Sequence, residues 1–356
     1  MSFTENAVIN NQEFAEGKEI LKSLPTSLVV TLTTRCDINC LMCEEKPIKW
    51  EMPDKILNEI VSLMPYLEQI IWQGGEVLLL DYFPGLMKEA MRHENLFQSL
   101  VTNGLNIDGS IADLLVRDRI ELIISIDGTD EKSYSRIRKG GDFNRLLKNI
   151  GLINSLRKDR QPSGFSFRMH AVIMRSNYTL LEKFIPFAAS QGFDALHLMP
   201  IWGNAENGEN IFEARDKEAL DFIRSRSGIL KQQAEKYKIN FLNSLPSGPA
   251  EKEETDDSGS YSSLPDESEN SVGMPYCRMP WTRMVINPAG NICPACQCSN
   301  MAGNIIETDL KNIWNGPGMR EYRRRLTDGS YSKICSRACV EGEIDSELRG
   351  FKKREP

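Results

Sequence analysis

Between residues 27 and 199 the chain alternates short runs rich in Val, Ile and Leu with amphipathic stretches of helical length, and this alternation restricts the fold more than any other feature. The runs at 27–34, 69–73, 97–101, 120–126, 164–174 and 194–199 read as strands. The stretches at 53–64, 83–92, 108–118, 143–158 and 178–190 read as helices between them. Strands buried on both faces and joined by helical crossovers make parallel sheets, so the expected fold is α/β: six β/α units curved into a partial barrel. In such a fold, chemistry gathers at the C-terminal ends of the strands.

A chain of 356 residues has room for that barrel and an appendage. Residues 1–26 read as an N-terminal extension, 27–205 as the barrel and 206–245 as a connection containing a charged helix over 212–239. The stretch 246–273 is acidic, rich in Ser, Pro and Gly and without apolar periodicity. It is expected to be a flexible linker, because its few apolar side chains cannot offset the entropy of ordering it. Residues 274–356 are short and cysteine-rich, a composition that leans on metal for stability. Trp202, Trp281 and Trp314 are expected in core or interface packing.

A net charge of −7, with no basic run outside the extreme C-terminus, leaves no electrostatic footprint for nucleic acid or an anionic membrane. No apolar stretch approaches the roughly 18 residues that cross a bilayer, and the N-terminus does not read as a secretion signal. A cytoplasmic protein acting on a small molecule or a peptide is expected. The nine cysteines fall into two groups more than two hundred residues apart. That pattern suits metal ligation in a reducing compartment better than a disulfide framework.

Cys36, Cys40 and Cys43 follow the first strand. Three thiolates at this spacing can wrap a corner of a [4Fe–4S] cube and leave its fourth iron open, whereas a structural zinc site usually needs a fourth thiolate or imidazole, and no further His or Cys lies nearby in sequence. Gly74-Gly75-Glu76 follows the second strand, Thr102-Asn103-Gly104 the third, Ser125-Ile126-Asp127-Gly128 ends the fourth, and Arg138 lies in the turn beyond. In this order the motifs resemble the radical S-adenosylmethionine (radical SAM) superfamily. Met42 and Val77 depart from it, where many members carry an aromatic residue and a proline.

The resemblance implies that Cys36, Cys40 and Cys43 hold a [4Fe–4S] cluster that chelates S-adenosylmethionine. Gly74, Gly75 and Glu76 would receive the ligand's amino group, Asn103 would lie in the next turn, Ser125 and Asp127 would meet the ribose and carboxylate, and Arg138 would face the carboxylate. It also implies reductive cleavage to a 5′-deoxyadenosyl radical that abstracts a substrate hydrogen, with electrons from a reductase such as flavodoxin or ferredoxin.

The second group comprises Cys277, Cys293, Cys296, Cys298, Cys335 and Cys339. Cys277 and Cys293 bracket an expected hairpin at 282–292, and Cys335-x3-Cys339 can present two more thiolates, so these four could close around one cube; a zinc ribbon is the alternative. With the run 301–315 (MAGNIIETDLKNIWN) and Arg320 and Arg325 behind it, this segment resembles SPASM and Twitch auxiliary-cluster domains. Six cysteines instead of the seven of a full SPASM pattern imply one auxiliary [4Fe–4S] cluster. Cys296 and Cys298 are then spare, or one of them replaces a ligand assigned above; a spare thiol could serve as a hydrogen donor to a substrate radical.

His170 and His197 lie on the fifth and sixth strands, where a structural role is the expectation, and Arg168 and Arg175 are alternative ligand contacts. The stretch of about 35 residues before Cys36 is shorter than a leader-peptide recognition domain, so the expected activity is oxidation or epimerisation of a sugar or cyclitol, with peptide modification and then a non-enzymatic iron–sulfur or zinc-binding protein as the alternatives.

Overall fold

The computed structural model describes residues 1–43, 50–203, 207–246, 277–295, 298, 300–331 and 334–335. Most of the acidic linker, Cys296, Cys339 and the last 21 residues lie outside the described residues. Helix α1 (Phe3–Ala15) precedes β1 (Ser27–Thr31) and the two-residue β2 (Asn39–Cys40). Then come α2 (Asp54–Leu63), β3 (Gln69–Gln73), α3 (Phe83–Met91), β4 (Phe97–Thr102), α4 (Gly109–Leu115), β5 (Ile120–Ser125) and α5 (Glu131–Ile137). After β6 (Arg138–Lys139) the chain forms α6 (Phe143–Arg160), β7 (Ser166–Ile173), α7 (Leu181–Ser190), β8 (Ala195–Pro200), α8 (Lys217–Tyr237) and β9 (Asn240–Asn243). The C-terminal part holds α9 (Met279–Thr282), β10 (Arg283–Ile286), β11 (Asn291–Cys293), β12 (Gly303–Asn304), α10 (Leu310–Trp314) and α11 (Pro317–Thr327).

The six expected β/α units are present as β1, β3, β4, β5, β7 and β8, side by side and parallel. Partners in a parallel register share a face, so alternation along each strand sorts the side chains into two layers. On β7, Phe167, Met169, Ala171 and Ile173 are buried under the helices, while Arg168, His170 and Val172 are half-buried on the other, concave face. Aspartates cap the helices that follow the strands: Asp108, Asp130 and Asp142 each accept from a backbone N–H in the first turn of α4, α5 and α6.

The sheet does not stop at the barrel. β10 pairs with β1 in parallel, and β11 and β12 follow antiparallel, giving ten strands in the order β12-β11-β10-β1-β3-β4-β5-β7-β8-β9. The cysteine-rich segment, expected as a separate small domain, therefore extends the barrel sheet at one edge.

The N-terminal extension straps these parts together. Trp281 and Trp314, both buried, donate their indole N–H groups to the carbonyls of Lys18 (2.9 Å) and Ser23 (2.7 Å). Asn315 exchanges two 2.8 Å hydrogen bonds with the backbone of Leu21, and Arg323, fully buried, donates to the carbonyls of Pro280 and Glu19 at 2.9 Å each. Trp202 is not part of the core: it is 52% exposed just beyond β8. No helix among the described residues is long and apolar enough to cross a membrane.

Candidate functional site

Beyond β1 the chain crosses the C-terminal ends of the strands, and backbone bonds hold it there. Gly75 N–H donates to Thr33 O and Glu76 N–H to Arg35 O, both at 2.7 Å. The contact is too close for side chains: a Cβ at Gly74 would lie 2.4 Å from Thr33 O, and one at Gly75 2.1 Å from Arg35 O. Further along, Cys40 pairs with Arg138 in the ribbon formed by β2 and β6. Asp37, between the first two cysteines, accepts from the amides of Asn103 and Asn106 at 2.7 Å each. Cys36 and Cys43 are exposed and Cys40 half-buried. Burial pushes the Cys40 thiol up to about 11, against the pull of the Arg138 cation.

The candidate ligand contacts divide into two kinds. Glu76 is fully buried; it accepts from Thr102 Oγ1 (2.8 Å), Asn103 N–H (2.7 Å) and Leu78 N–H (3.1 Å). Burial raises this carboxyl to about 7, opposed by those same hydrogen bonds. Asn103 is equally committed, its amide donating to Asp37 and its carbonyl accepting from Leu105 N–H at 2.8 Å. Asp127 accepts from Val172 N–H at 2.7 Å and lies 2.7 Å from Arg138 Nη2, an ion pair whose N–H direction misses the carboxylate oxygen. These side chains build the site. Gly74 and Gly75 offer it only backbone, while Ser125 is half-buried beside His170 in register.

Two buried nitrogens, Arg138 Nε and His170 Nε2, have no hydrogen-bond partner among the described residues. A polar ligand at the mouth would satisfy them, as buried polar groups require. Deeper in, the His170 and His197 rings meet edge to face at 5.1 Å, and His197 Nε2 lies 2.7 Å from Ser244 Oγ. Burial, then the neighbouring His197, Arg168 and Arg138, hold His170 well below its ordinary value, so its ring is neutral. Arg168 pairs with Glu121 at 2.7 Å, and Glu121 accepts from Ser99 at 3.0 Å, which makes a polar floor. Arg175 is turned elsewhere, to Asp216 and the Gly208 carbonyl.

At the other edge of the sheet Cys293 stands opposite Val285 and packs with Val29, Ile71 and Cys298, away from the main core. Cys298 forms an antiparallel bridge with Cys335. Burial, and then the nearby thiols of Cys277, Cys293 and Cys335, push the Cys298 thiol strongly up. Four thiols therefore converge, and Cys298, read from the sequence as spare or as a replacement ligand, is among them. No three His, Cys, Asp or Glu side chains of the described residues close on a single metal ion, which for zinc would need sulfurs about 4 Å apart. A four-iron cube spreads its ligands wider.

The model of the Radical SAM superfamily matches residues 30–199, and that of the SPASM iron–sulfur cluster-binding domain matches 277–340. The chain belongs to the radical SAM superfamily. An S-adenosylmethionine-dependent nucleotide dehydratase of Lacinutrix mariniflava is 24% identical over 54% of this chain and 43% of its own. The PqqA peptide cyclase of Granulibacter bethesdensis is 22% identical over 90% of this chain and 81% of its own. The dehydratase and several GTP 3′,8-cyclases are spanned over about half of their length. Among solved structures, Streptococcus suis SuiB bound to precursor peptide SuiA superposes with a TM-score of 0.58 at 18% identity, covering 89% of this chain and 70% of that one.

As a radical SAM protein with a SPASM domain, the chain uses a [4Fe–4S] cluster, S-adenosylmethionine and auxiliary iron–sulfur. The residues present fit both groups: an all-thiol loop beside unpartnered buried nitrogens at the mouth, and a converging thiol set at the sheet edge. Sequence reasoning missed Asp37 and Thr102, which orient the loop and Glu76. An Asx residue inside a cysteine loop was the available signal for the first.

Proposed function

We propose that this radical SAM protein is an enzyme that oxidises a peptide or protein substrate, with the first cluster held by Cys36, Cys40 and Cys43. When bound, the cluster would supply the electron for reductive cleavage of S-adenosylmethionine, the source of hydrogen-atom abstraction from the substrate. One observation carries the reading: Cys293 lies on the concave face of the same sheet that presents Ser125 and His170, so the auxiliary thiols border the lumen where a substrate radical would form. An acceptor for the substrate's second electron is then at hand.

In this reading the backbone of Gly74 and Gly75, fixed by Glu76, receives the amino group of S-adenosylmethionine. Ser125 and the free Nε of Arg138 meet its polar end, Asp127 orients Arg138, and Asn103 holds the cysteine loop through Asp37. Cys277, Cys293, Cys298 and Cys335 are the auxiliary thiol set, with Cys339 outside the described residues. Cys298 acts there as a ligand instead of a hydrogen donor. The peptide class is supported by the PqqA peptide cyclase, matched along most of its length. The sugar or cyclitol substrate favoured by the sequence gains no such support. A flavodoxin- or ferredoxin-type reductase would supply the first electron.

Anaerobically loaded protein should carry about eight irons, and replacing Cys36, Cys40 and Cys43 together by Ala should leave about four. The same triple variant should lose dithionite-driven 5′-deoxyadenosine formation. Continued formation in that variant would overturn the first site. Offered a short precursor peptide, the enzyme should return it lacking a pair of hydrogens and without solvent deuterium in deuterium oxide; deuterium at the attacked carbon would mean a redox-neutral reaction.

A further inference from the structure

The Arg138 guanidinium touches the cysteine loop as well as the ligand mouth. Its Nη1 lies 3.8 Å from Cys40 Sγ, within reach of an N–H···S hydrogen bond, while Nη2 lies 2.7 Å from Asp127. The geometry is imposed from several sides. Cys40 and Arg138 are register partners in the β2–β6 ribbon, and Leu41 N–H donates to Ile137 O at 2.9 Å beside them. Asp127 is fixed by Val172 N–H at 2.7 Å, and the Asn177 amide braces the backbone carbonyls of Asp127 and Val172 at 3.0 and 2.8 Å. Arg138 is 7% exposed and Asp127 not at all, whereas Cys36 and Cys43 face solvent.

We propose that Arg138 is a redox-positioning residue: it places a buried cation and an N–H donor on the Cys40 sulfur and so raises the reduction potential of the cluster, to a degree that Asp127 limits. This rests on the reading of Cys36, Cys40 and Cys43 as the cluster ligands. Reduction adds one negative charge to the cube, and both a fixed neighbouring cation and a hydrogen bond to a ligating sulfur favour the state that carries it. Burial makes the effect count, since charges shielded from water interact several-fold more strongly than exposed ones. Asp127 pulls the other way, so the pair sets an intermediate field. The three sulfurs are also unequal: Cys40 meets the Arg138 cation, whereas Cys36 lies 4.0 Å from the Asp37 carboxylate.

The test is the midpoint potential of anaerobically loaded full-length protein, read by spectroelectrochemistry on the EPR signal that changes when S-adenosylmethionine is added. Arg138→Gln should move it to more negative potential, Arg138→Lys should fall between Gln and the parent, and Asp127→Asn should move it to more positive potential. Opposed shifts are the signature, because a loosened loop would move Arg138→Gln and Asp127→Asn in the same direction. Shifts of the same sign, or an unchanged potential in Arg138→Gln with its iron intact, overturn the proposal. If Arg138→Gln fails to load iron, Asp127→Asn decides alone, and no positive shift overturns it. Persistence of the responsive signal in the Cys36, Cys40, Cys43 triple variant would instead sink the ligand reading beneath it.

Discussion

Glu76 and Asp127 are carboxylates without exposure, yet they are satisfied in different ways. Glu76 is met only by dipoles, from Thr102, Asn103 and Leu78, and Asp127 by a guanidinium and a backbone N–H. His170, half-buried beside them on the concave face, adds a pH dependence of its own. Its folded value lies below the ordinary 6.5, so the unfolded chain takes up the proton first as pH falls. The stability from keeping the ring neutral is present above the ordinary value and is lost as pH drops below it toward the folded value. The slope approaches about 1.4 kcal/mol per pH unit at most. Urea midpoints of the loaded protein at about pH 7.5 and about pH 5.5 should therefore fall further in the parent than in His170→Gln. Equal losses would show that another group carries the acid sensitivity.

At the scale of elements, the cysteine loop and the glycine turn are one unit. Gly75→Ala drives a methyl group into the Arg35 carbonyl, a backbone atom that cannot swing aside, at a cost of about 1–3 kcal/mol. The expected result is iron falling toward half in the loaded protein, the auxiliary part remaining. Gly85→Ala, in α3 with open space at its Cβ, should instead be neutral or gain about 0.5–1 kcal/mol. Full iron in Gly75→Ala would mean that the loop is free to move. The barrel strands were legible in the sequence because two-sided burial writes Val, Ile and Leu in runs such as Leu28 to Val30. The β2–β6 ribbon was not legible, since two residues a side carry no period, and with it went the Cys40–Arg138 contact. The two glycines and the cysteine loop both stood out in the sequence, but their contact did not. Cys298 shows the same boundary: spacing counted the thiols, and only the bridge to Cys335 says which of them meet.

Over the whole molecule, residues distant in sequence hold the two iron–sulfur regions in one frame. Trp314 is wedged between Ser23, to which it donates, and the Arg323 cation lying 4.5 Å over its ring. Trp314→Ala should cost about 3–5 kcal/mol, as deletion of a buried large aromatic does, and calorimetry should register it as a lower melting temperature of the entire chain. A second, independent transition would show that the C-terminal part unfolds alone. The pairing of β10 with β1 has a further consequence, for synthesis. Arg283 and Ser27, joined by a side-chain hydrogen bond, are 256 residues apart. At translation rates of about 5–20 residues per second, β1 waits roughly 13–50 seconds for the neighbour that covers its edge. Until then Ser-Leu-Val-Val-Thr is an uncharged edge strand of the kind that recruits other chains, and the nascent barrel depends on the late arrival of β10 to stay single.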